Sequence, residues 1–395
     1  MYPAIELTDK QEAFRQEVVA FAAEHISAEL VEECDEEGRP PLELLPKLAE
    51  RGWLRIGLPE EHGGWGGATE LVIMLENLEY AFIQLGSLMS RGAMYPANVL
   101  SHFGTPEQQA RFLPQVLRGE GRTVIAISEP STGSDMSSLS TRAMADPAGG
   151  WRLTGEKMYA SGLDYSNFIL VAAITDPAAP SRKGVSVFLI DVDSPGISAT
   201  RLKTMGAWQN RTYHCTFTDV YVPADRLLGK LNDGWRVLGG HLGMERAGLA
   251  ARAVGAAQSV LDEAVQYSKQ RHQFNQPISS FQAISHKIAD MATGIHVGRV
   301  ATYDLARRVD RGENITAVSA MVKTFTTETY VRVADHGLQI LGGAGYLRSS
   351  AMQRHYRDAR LLTIGGGTSE IMRNVISRSV LADVAHEARE RGGIR

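Results

Sequence analysis

The chain has 395 residues, 44% of them hydrophobic, with 41 basic and 45 acidic side chains and a formal net charge of −4. That length exceeds one simple core and implies two or three domains, or one large composite. The interspersed, slightly acidic charge argues against a nucleic-acid partner. Its two cysteines, Cys34 and Cys215, match no metal or redox spacing and fit a reducing, cytoplasmic setting.

The N-terminus lacks the basic and apolar regions of a signal peptide. The longest apolar run, Phe168–Ile174, is far too short to span a membrane. Thr8 and Gln11 have capping-box spacing, and Phe14, Val18, Phe21 and Ala22 follow at helical intervals, predicting a helix to about Glu33. Pro40 and Pro41 open a second helix that stops at Gly52, and a glycine-rich loop covers 57–67. Leu71, Met74, Leu75, Leu78 and Phe82 mark a third helix; Thr105, Pro106 and Gln108 begin a fourth.

The period then changes. Short β-type runs at 123–127, 151–154, 168–174, 185–190, 197–200 and 212–222, divided by turn signals, predict an antiparallel sandwich or barrel. After Gly234 the helical period returns at 235–271, 279–311 and 316–341, with a last helix from Thr368. The fold class is α+β, mainly α. It comprises an N-terminal helical domain (1–122), a middle antiparallel β-sandwich or barrel domain (123–233) and a C-terminal four-helix bundle domain (234–395).

One stretch has the form of a ligand-facing corner: an apolar run enters Gly365-Gly366-Gly367, and a helix starts at Thr368-Ser369-Glu370. Glycine admits close backbone approach, and a helix start carries unpaired N–H groups. Several common chemistries are missing. There is no P-loop, no His-Glu-x-x-His and no Gly-x-Ser-x-Gly elbow, and no histidine pair has metal spacing with a carboxylate. Gly343-Ala344-Gly345 begins like a dinucleotide fingerprint, but Arg348 holds the third glycine position and a helical pattern, not a strand, precedes it.

Seven motifs in order carry a resemblance over nearly the whole chain. They are Ile127-Ser128-Glu129-Pro130-Ser131-Thr132-Gly133-Ser134-Asp135, Gly155-Glu156-Lys157-Met158-Tyr159-Ala160-Ser161-Gly162, and Met205-Gly206 through to Val222-Pro223. Then come Arg271-His272-Gln273-Phe274, Phe281-Gln282-Ala283, Gln339-Ile340-Leu341-Gly342-Gly343 and Gly367-Thr368-Ser369-Glu370-Ile371. The set resembles the acyl-CoA dehydrogenase family of flavoproteins. The resemblance implies FAD, held non-covalently between the β domain and the C-terminal bundle. It puts Ile127, Ser128, Tyr159 and Ser161 along the flavin ring, where hydroxyl and backbone donors favour charge on the reduced ring. Arg271 and the segment of Gln339, Gly342 and Gly343 match cofactor contacts supplied by a neighbouring subunit; Phe274 and Gln282 of the adjoining motifs are further cofactor contacts, and Thr368 and Glu370 flank the dinucleotide. A homodimer or a dimer-of-dimers tetramer follows, with an electron-transfer flavoprotein as the acceptor. Ser134 and Arg246 fall on the substrate's side.

Four positions depart from the family pattern. Tyr159 stands where Trp is usual, Ser161-Gly162 where Thr-Asn is usual, and Asn210 where Ser is common. The family reaction removes an α-proton from an acyl thioester and passes the β-hydrogen to flavin N5, so it needs a carboxylate near Cα and donors at the thioester oxygen. Many members carry that Glu just before Gly-Thr-Ser, and here the position is Gly366. Isovaleryl- and long-chain-type branches place it on a bundle helix, at a position matched by Glu245. The small, apolar neighbours of Glu245 predict partial desolvation and a raised pKa. Arg246 is ~100° round the helix and need not pair with it. The backbone N–H of Gly366 survives as an oxyanion donor. The expected reaction is dehydrogenation of an acyl-CoA; alternatives are a carrier-protein-bound acyl substrate, a flavin oxidase or monooxygenase, or a non-catalytic helical binding protein.

Overall fold

The computed structural model describes residues 5–180, 183–240 and 242–390. Helices α1 (Asp9–His25), α2 (Ala28–Glu37), α3 (Leu44–Glu50), α4 (Ala68–Ala81), α5 (Leu85–Met89), α6 (Tyr95–Phe103) and α7 (Pro106–Leu117) come first. Strands β1 (Thr123–Ala126), β2 (Arg142–Ala145), β3 (Trp151–Ser161), β4 (Phe168–Ile174), β5 (Val185–Asp191), β6 (Ile197–Leu202), β7 (Thr212–Val222) and β8 (Leu227–Leu228) follow. Then come α8 (Gly234–Gly239), α9 (Leu242–Gln270), the hairpin β9 (His272–Gln273) and β10 (Gln276–Pro277), α10 (Gln282–Asp310), α11 (Thr316–Leu341), α12 (Ala351–Leu362) and α13 (Ser369–Glu390).

Contacts divide the chain into two compact units. One comprises Ala28–Trp65 and Gln84–Leu242; the other Met1–Ser27, Gly66–Ile83 and Gly243–Arg395. The first is built on an eight-stranded sheet in the order β6-β7-β3-β2-β4-β5-β8, with β1 beside β4. β4 is a continuous apolar run, buried from Phe168 to Ala173, as a central strand covered on both faces must be. The sheet is mostly antiparallel, but β1 pairs with β4 in parallel, a departure from the expected wholly antiparallel domain. The longest ladder joins β3 to β7 and has register shifts between Leu153 and Gly155 and between Lys157 and Ala160. Asn210, unexpected in its motif, has a local reason: its Nδ2 donates to Gln84 Oε1 (3.0 Å) and Ser87 Oγ (3.4 Å), all buried.

The second unit is helical. α9 presents Ala253, Ala256, Ala257, Val260 and Ala264 to a core shared with Met291 and Ile295 of α10 and Tyr330, Val333 and Ala334 of α11. Small residues let the backbones close up: a Cβ at Gly255 would fall 2.0 Å from the Glu76 carbonyl of α4. The N-cap of α4 is Gly67, which has no side chain to offer, so Asp310 at the end of α10 caps the helix. Its carboxylate accepts from Ala68 N (2.6 Å) and Thr69 N (3.1 Å).

The helix expected to run to Glu33 stops at His25 and resumes at Ala28, and the single segment 235–271 is α8 followed by α9. Helices α5, α6 and α12 and strand β2 add to the predicted set.

Candidate active site

In the β-rich unit the 127–129 segment is tied down by a buried ion pair. Lys157 donates from Nζ to Glu129 Oε1 (2.8 Å) and to the Ile127 carbonyl (3.0 Å), and both side chains are inaccessible to solvent. The Glu129 carboxylate also accepts from Ser140 N and Oγ (both 2.6 Å) and Thr141 N (3.0 Å). Burial by itself would raise the Glu129 pKa. The Lys157 charge and these hydrogen bonds outweigh it and hold the group down at about 2. Ser128 accepts from Met158 N at 2.8 Å, which places the segment against the β3 bulge.

Tyr159 sits in that bulge with φ +62° and is 64% exposed. An aromatic held in left-handed backbone and left bare is strained for a reason outside its own packing. Ser161 Oγ lies 3.2 Å from Thr212 Oγ1, half-buried. Ser134 is exposed in the loop after β1.

In the helical unit, Glu245 and Gly366 come together. A Cβ at 366 would lie 3.8 Å from Glu245 Oε1 and 2.5 Å from Leu249 Cδ1, and Gly366 has φ +66°. Glu245 is exposed, which corrects the expected partial desolvation: Ala247, Ala250 and Ala251 are buried on other faces of α9, and Leu249, one turn on along the same face, is buried while the carboxylate is not. Arg246 turns away as expected, donating from Nη1 to Ser319 Oγ on α11 (3.0 Å), while its buried Nε has no partner among the described residues.

The 364–368 turn is held at its flanks. Ile364 N and Gly365 N donate to Leu361 O (3.0 and 2.9 Å), and Ser369 N to Thr363 O (3.1 Å). Gly366 is exposed, and its N–H has no acceptor among the described residues. Thr368 caps α13, its Oγ1 accepting from Ile371 N at 3.2 Å, and Glu370 is exposed in the first turn. Lys323, which the motif reading passed over, donates from Nζ to Gly367 O at 2.7 Å and is fully buried. A signal existed: a lone lysine inside the buried stripe Ser319, Ala320, Lys323, Thr327, Tyr330 and Ala334 of α11.

At the other end of the helical unit an open pocket of about 470 Å³ gathers Arg271, Gly342 and Gly343 with Tyr267, Ile340 and neighbouring residues. The Arg271 guanidinium has no partner among the described residues, and a Cβ at Gly342 or Gly343 would meet nothing within 4 Å. An unpaired cation beside open glycine backbone fits a pyrophosphate. Phe274 and Asn275, both with positive φ, form the two-residue turn between β9 and β10, and Phe274 is 87% exposed. Gln282 and Gln339 are exposed and do not line this pocket. Among the described residues no group of histidine, cysteine and carboxylate side chains could hold a metal, and no helix is long and apolar enough to cross a membrane.

The three parts of one family match nearly end to end: acyl-CoA dehydrogenase N-terminal domain over 8–120, middle domain over 124–220 and C-terminal domain over 232–381. A probable acyl-CoA dehydrogenase of Bacillus subtilis (strain 168) is 35% identical, over 95% of this chain and 99% of that protein. A 3-(aryl)acrylate reductase of Clostridium sporogenes (strain ATCC 15579) is 33% identical, over 95% and 99%. The solved structure of a glutaryl-coenzyme A dehydrogenase with glutaryl-CoA superposes with a TM-score of 0.90 at 29% identity, over 96% of each chain. The chain belongs to the acyl-CoA dehydrogenase family, and is an FAD-binding oxidoreductase of that fold.

Proposed function

We propose that the chain converts an acyl-CoA thioester to the trans-2-enoyl thioester, with Glu245 as the base that takes the α-proton and the Gly366 N–H as a donor to the thioester oxygen. The observation that carries this reading is the 3.8 Å between Glu245 Oε1 and the position of a Cβ at 366. A carboxylate from α9 therefore reaches the volume that a side chain at 366 would enter, so one site can be served from either chain position. The unused N–H of the exposed Gly366 supports the second role, since a preformed donor is worth most where charge develops. Glu245 is exposed in the chain by itself, so its desolvation comes from the bound thioester.

When bound, FAD supplies the acceptor for the β-hydrogen as hydride. Ile127, Ser128, Tyr159 and Ser161 offer a fixed backbone edge, hydroxyls and an aromatic face to its ring. Arg271, Gly342 and Gly343 offer a cation and open backbone to its pyrophosphate; Phe274, Gln282 and Gln339, outside that pocket, are further cofactor contacts, with Thr368 and Glu370 beside the glycine turn. Because the family draws the counterparts of Arg271, Gln339, Gly342 and Gly343 from a neighbouring subunit, the chain acts as a homodimer or tetramer, and an electron-transfer flavoprotein accepts the electrons. Ser134 and Arg246 belong to the thioester's side.

The similarity to a 3-(aryl)acrylate reductase favours a second direction through the same residues, in which Glu245 returns its proton to Cα. Anaerobic mixing with an acyl-CoA panel, scored by loss of flavin absorbance, tests both. Substrate should bleach the flavin and enoyl-CoA should recolour the reduced protein. Rapid oxygen uptake would instead favour an oxidase, and bleaching by carrier-bound acyl groups alone would favour the carrier-protein reading. Glu245→Gln should retain FAD and lose bleaching by about 10³-fold or more; bleaching at a near-normal rate would refute the base assignment.

A further inference from the structure

We propose that Lys323 is a positioning residue for the reaction: from the buried face of α11 its Nζ anchors the 366–367 turn and so aims the Gly366 N–H. The inference rests on the reading of Gly366 as oxyanion donor. Gly366 and Gly367 have φ of +66° and +94°, two successive left-handed residues at a place with no side chain to pack. Such a turn has the largest conformational freedom the chain can offer, and it needs an external tie to hold one orientation. Among the described residues, the Lys323 bond to Gly367 O is the polar tie between these two glycines and another element.

α11 also holds the base's helix. Ser319, one turn before Lys323 on the same buried stripe, accepts from Arg246 Nη1 at 3.0 Å, immediately beside Glu245. Positions four apart on a helix share a face and a fixed spacing. α11 thus sets the separation between the carboxylate of α9 and the donor of the turn.

A buried lysine is a poor choice for packing alone, because methionine or leucine would fill the stripe without burying a charge. Burial lowers the Lys323 pKa to about 8. Arg246 pushes the same way, while Glu245, Glu328 and Glu370 oppose it. Among the described residues no carboxylate comes within ion-pair distance of it. Protonated or neutral, the amine can still donate to a carbonyl, so the tie survives either state.

The test uses the FAD-loaded protein and its K323M, K323Q and K323R variants, with folding of each checked by circular dichroism. Amide hydrogen exchange over 364–368 reads the tie; anaerobic flavin reduction by acyl-CoA, split into limiting rate and substrate affinity, reads its consequence. In K323M exchange should accelerate about tenfold or more and the limiting rate fall about 10- to 100-fold with affinity nearly unchanged, short of the loss expected on removing a donor outright. K323Q and K323R, which can donate, should recover part of both, and K323Q carries the test if K323M does not fold. Unchanged exchange in K323M, or faster exchange at an unchanged limiting rate, overturns the proposal. Glu245→Gln run alongside should keep wild-type exchange while losing reduction. Retained reduction there would remove the base assignment and leave the Lys323 result standing.

Discussion

Lys157 in the β-rich unit and Lys323 in the helical unit are both fully buried, and each donates from Nζ to a carbonyl of a site segment: Ile127 O at 3.0 Å and Gly367 O at 2.7 Å. Burial lowers both pKa values to about 8. Their counter-charges differ. Lys157 meets the Glu129 carboxylate at 2.8 Å, itself satisfied by Ser140 and Thr141, whereas the nearest carboxylates to Lys323 act on it only at a distance. A paired charge makes a rigid scaffold, and breaking it leaves an orphan. An unpaired charge makes a weaker tie, one whose loss costs the fold less than it costs the segment it holds.

The largest expected effect that sharpens this contrast is on stability. Glu129→Gln leaves the Lys157 ammonium buried without its counter-ion and should cost about 3–5 kcal/mol in chemical denaturation. The E129L/K157M double variant should recover most of that loss, and a double variant as unstable as E129Q would show that the pair is not the cause. K323M orphans no carboxylate. Relief of a buried charge offsets the lost hydrogen bond, so its global stability should change by less than about 2 kcal/mol. A K323M loss as large as that of E129Q would erase the distinction.

Acid separates the two lysines further. Glu129 has its folded pKa at about 2, below the model-compound 4.5, so its contribution is complete above pH 4.5 and is lost as pH falls towards 2. Melting curves across that range should lose this share of their slope in E129L/K157M and keep it in K323M. The smallest effect lies at alkaline pH. Each lysine has a folded pKa of about 8 against 10.5 unfolded, so the unfolded chain binds the proton more tightly between those values and stability rises with pH there. K323M should flatten that rise between pH 8 and 10.5; an unchanged slope would mean that Lys323 is solvated.

Much of the architecture could be read locally. α11 and β7 have the bounds that their periods predict, and Thr8 and Thr105 cap their helices with the expected Gln11 and Gln108. What escaped has identifiable causes. α12 reads as polar because Arg354, His355, Arg357 and Asp358 lie in it, yet all four are buried, His355 Nδ1 standing 2.9 Å from the Tyr330 hydroxyl. α5 is buried at every position and carries no period to detect. α4 owes its cap to Asp310, more than two hundred residues away in sequence.

The candidate site divides the same way. By itself the sequence determined the residue types and their order: the glycine turn before α13, a glycine at 366 where many members of the family carry Glu, and the Glu245 proposed in its place. Family motifs are local strings, and helix and strand periods are set by neighbours a few positions apart. The tertiary structure alone decided that Glu245 reaches the space beside Gly366, that it does so exposed rather than half-buried, and that a lysine 44 residues before Gly367 holds that turn. Desolvation and hydrogen-bond partnership depend on which distant backbone arrives against a side chain, and no local pattern records that.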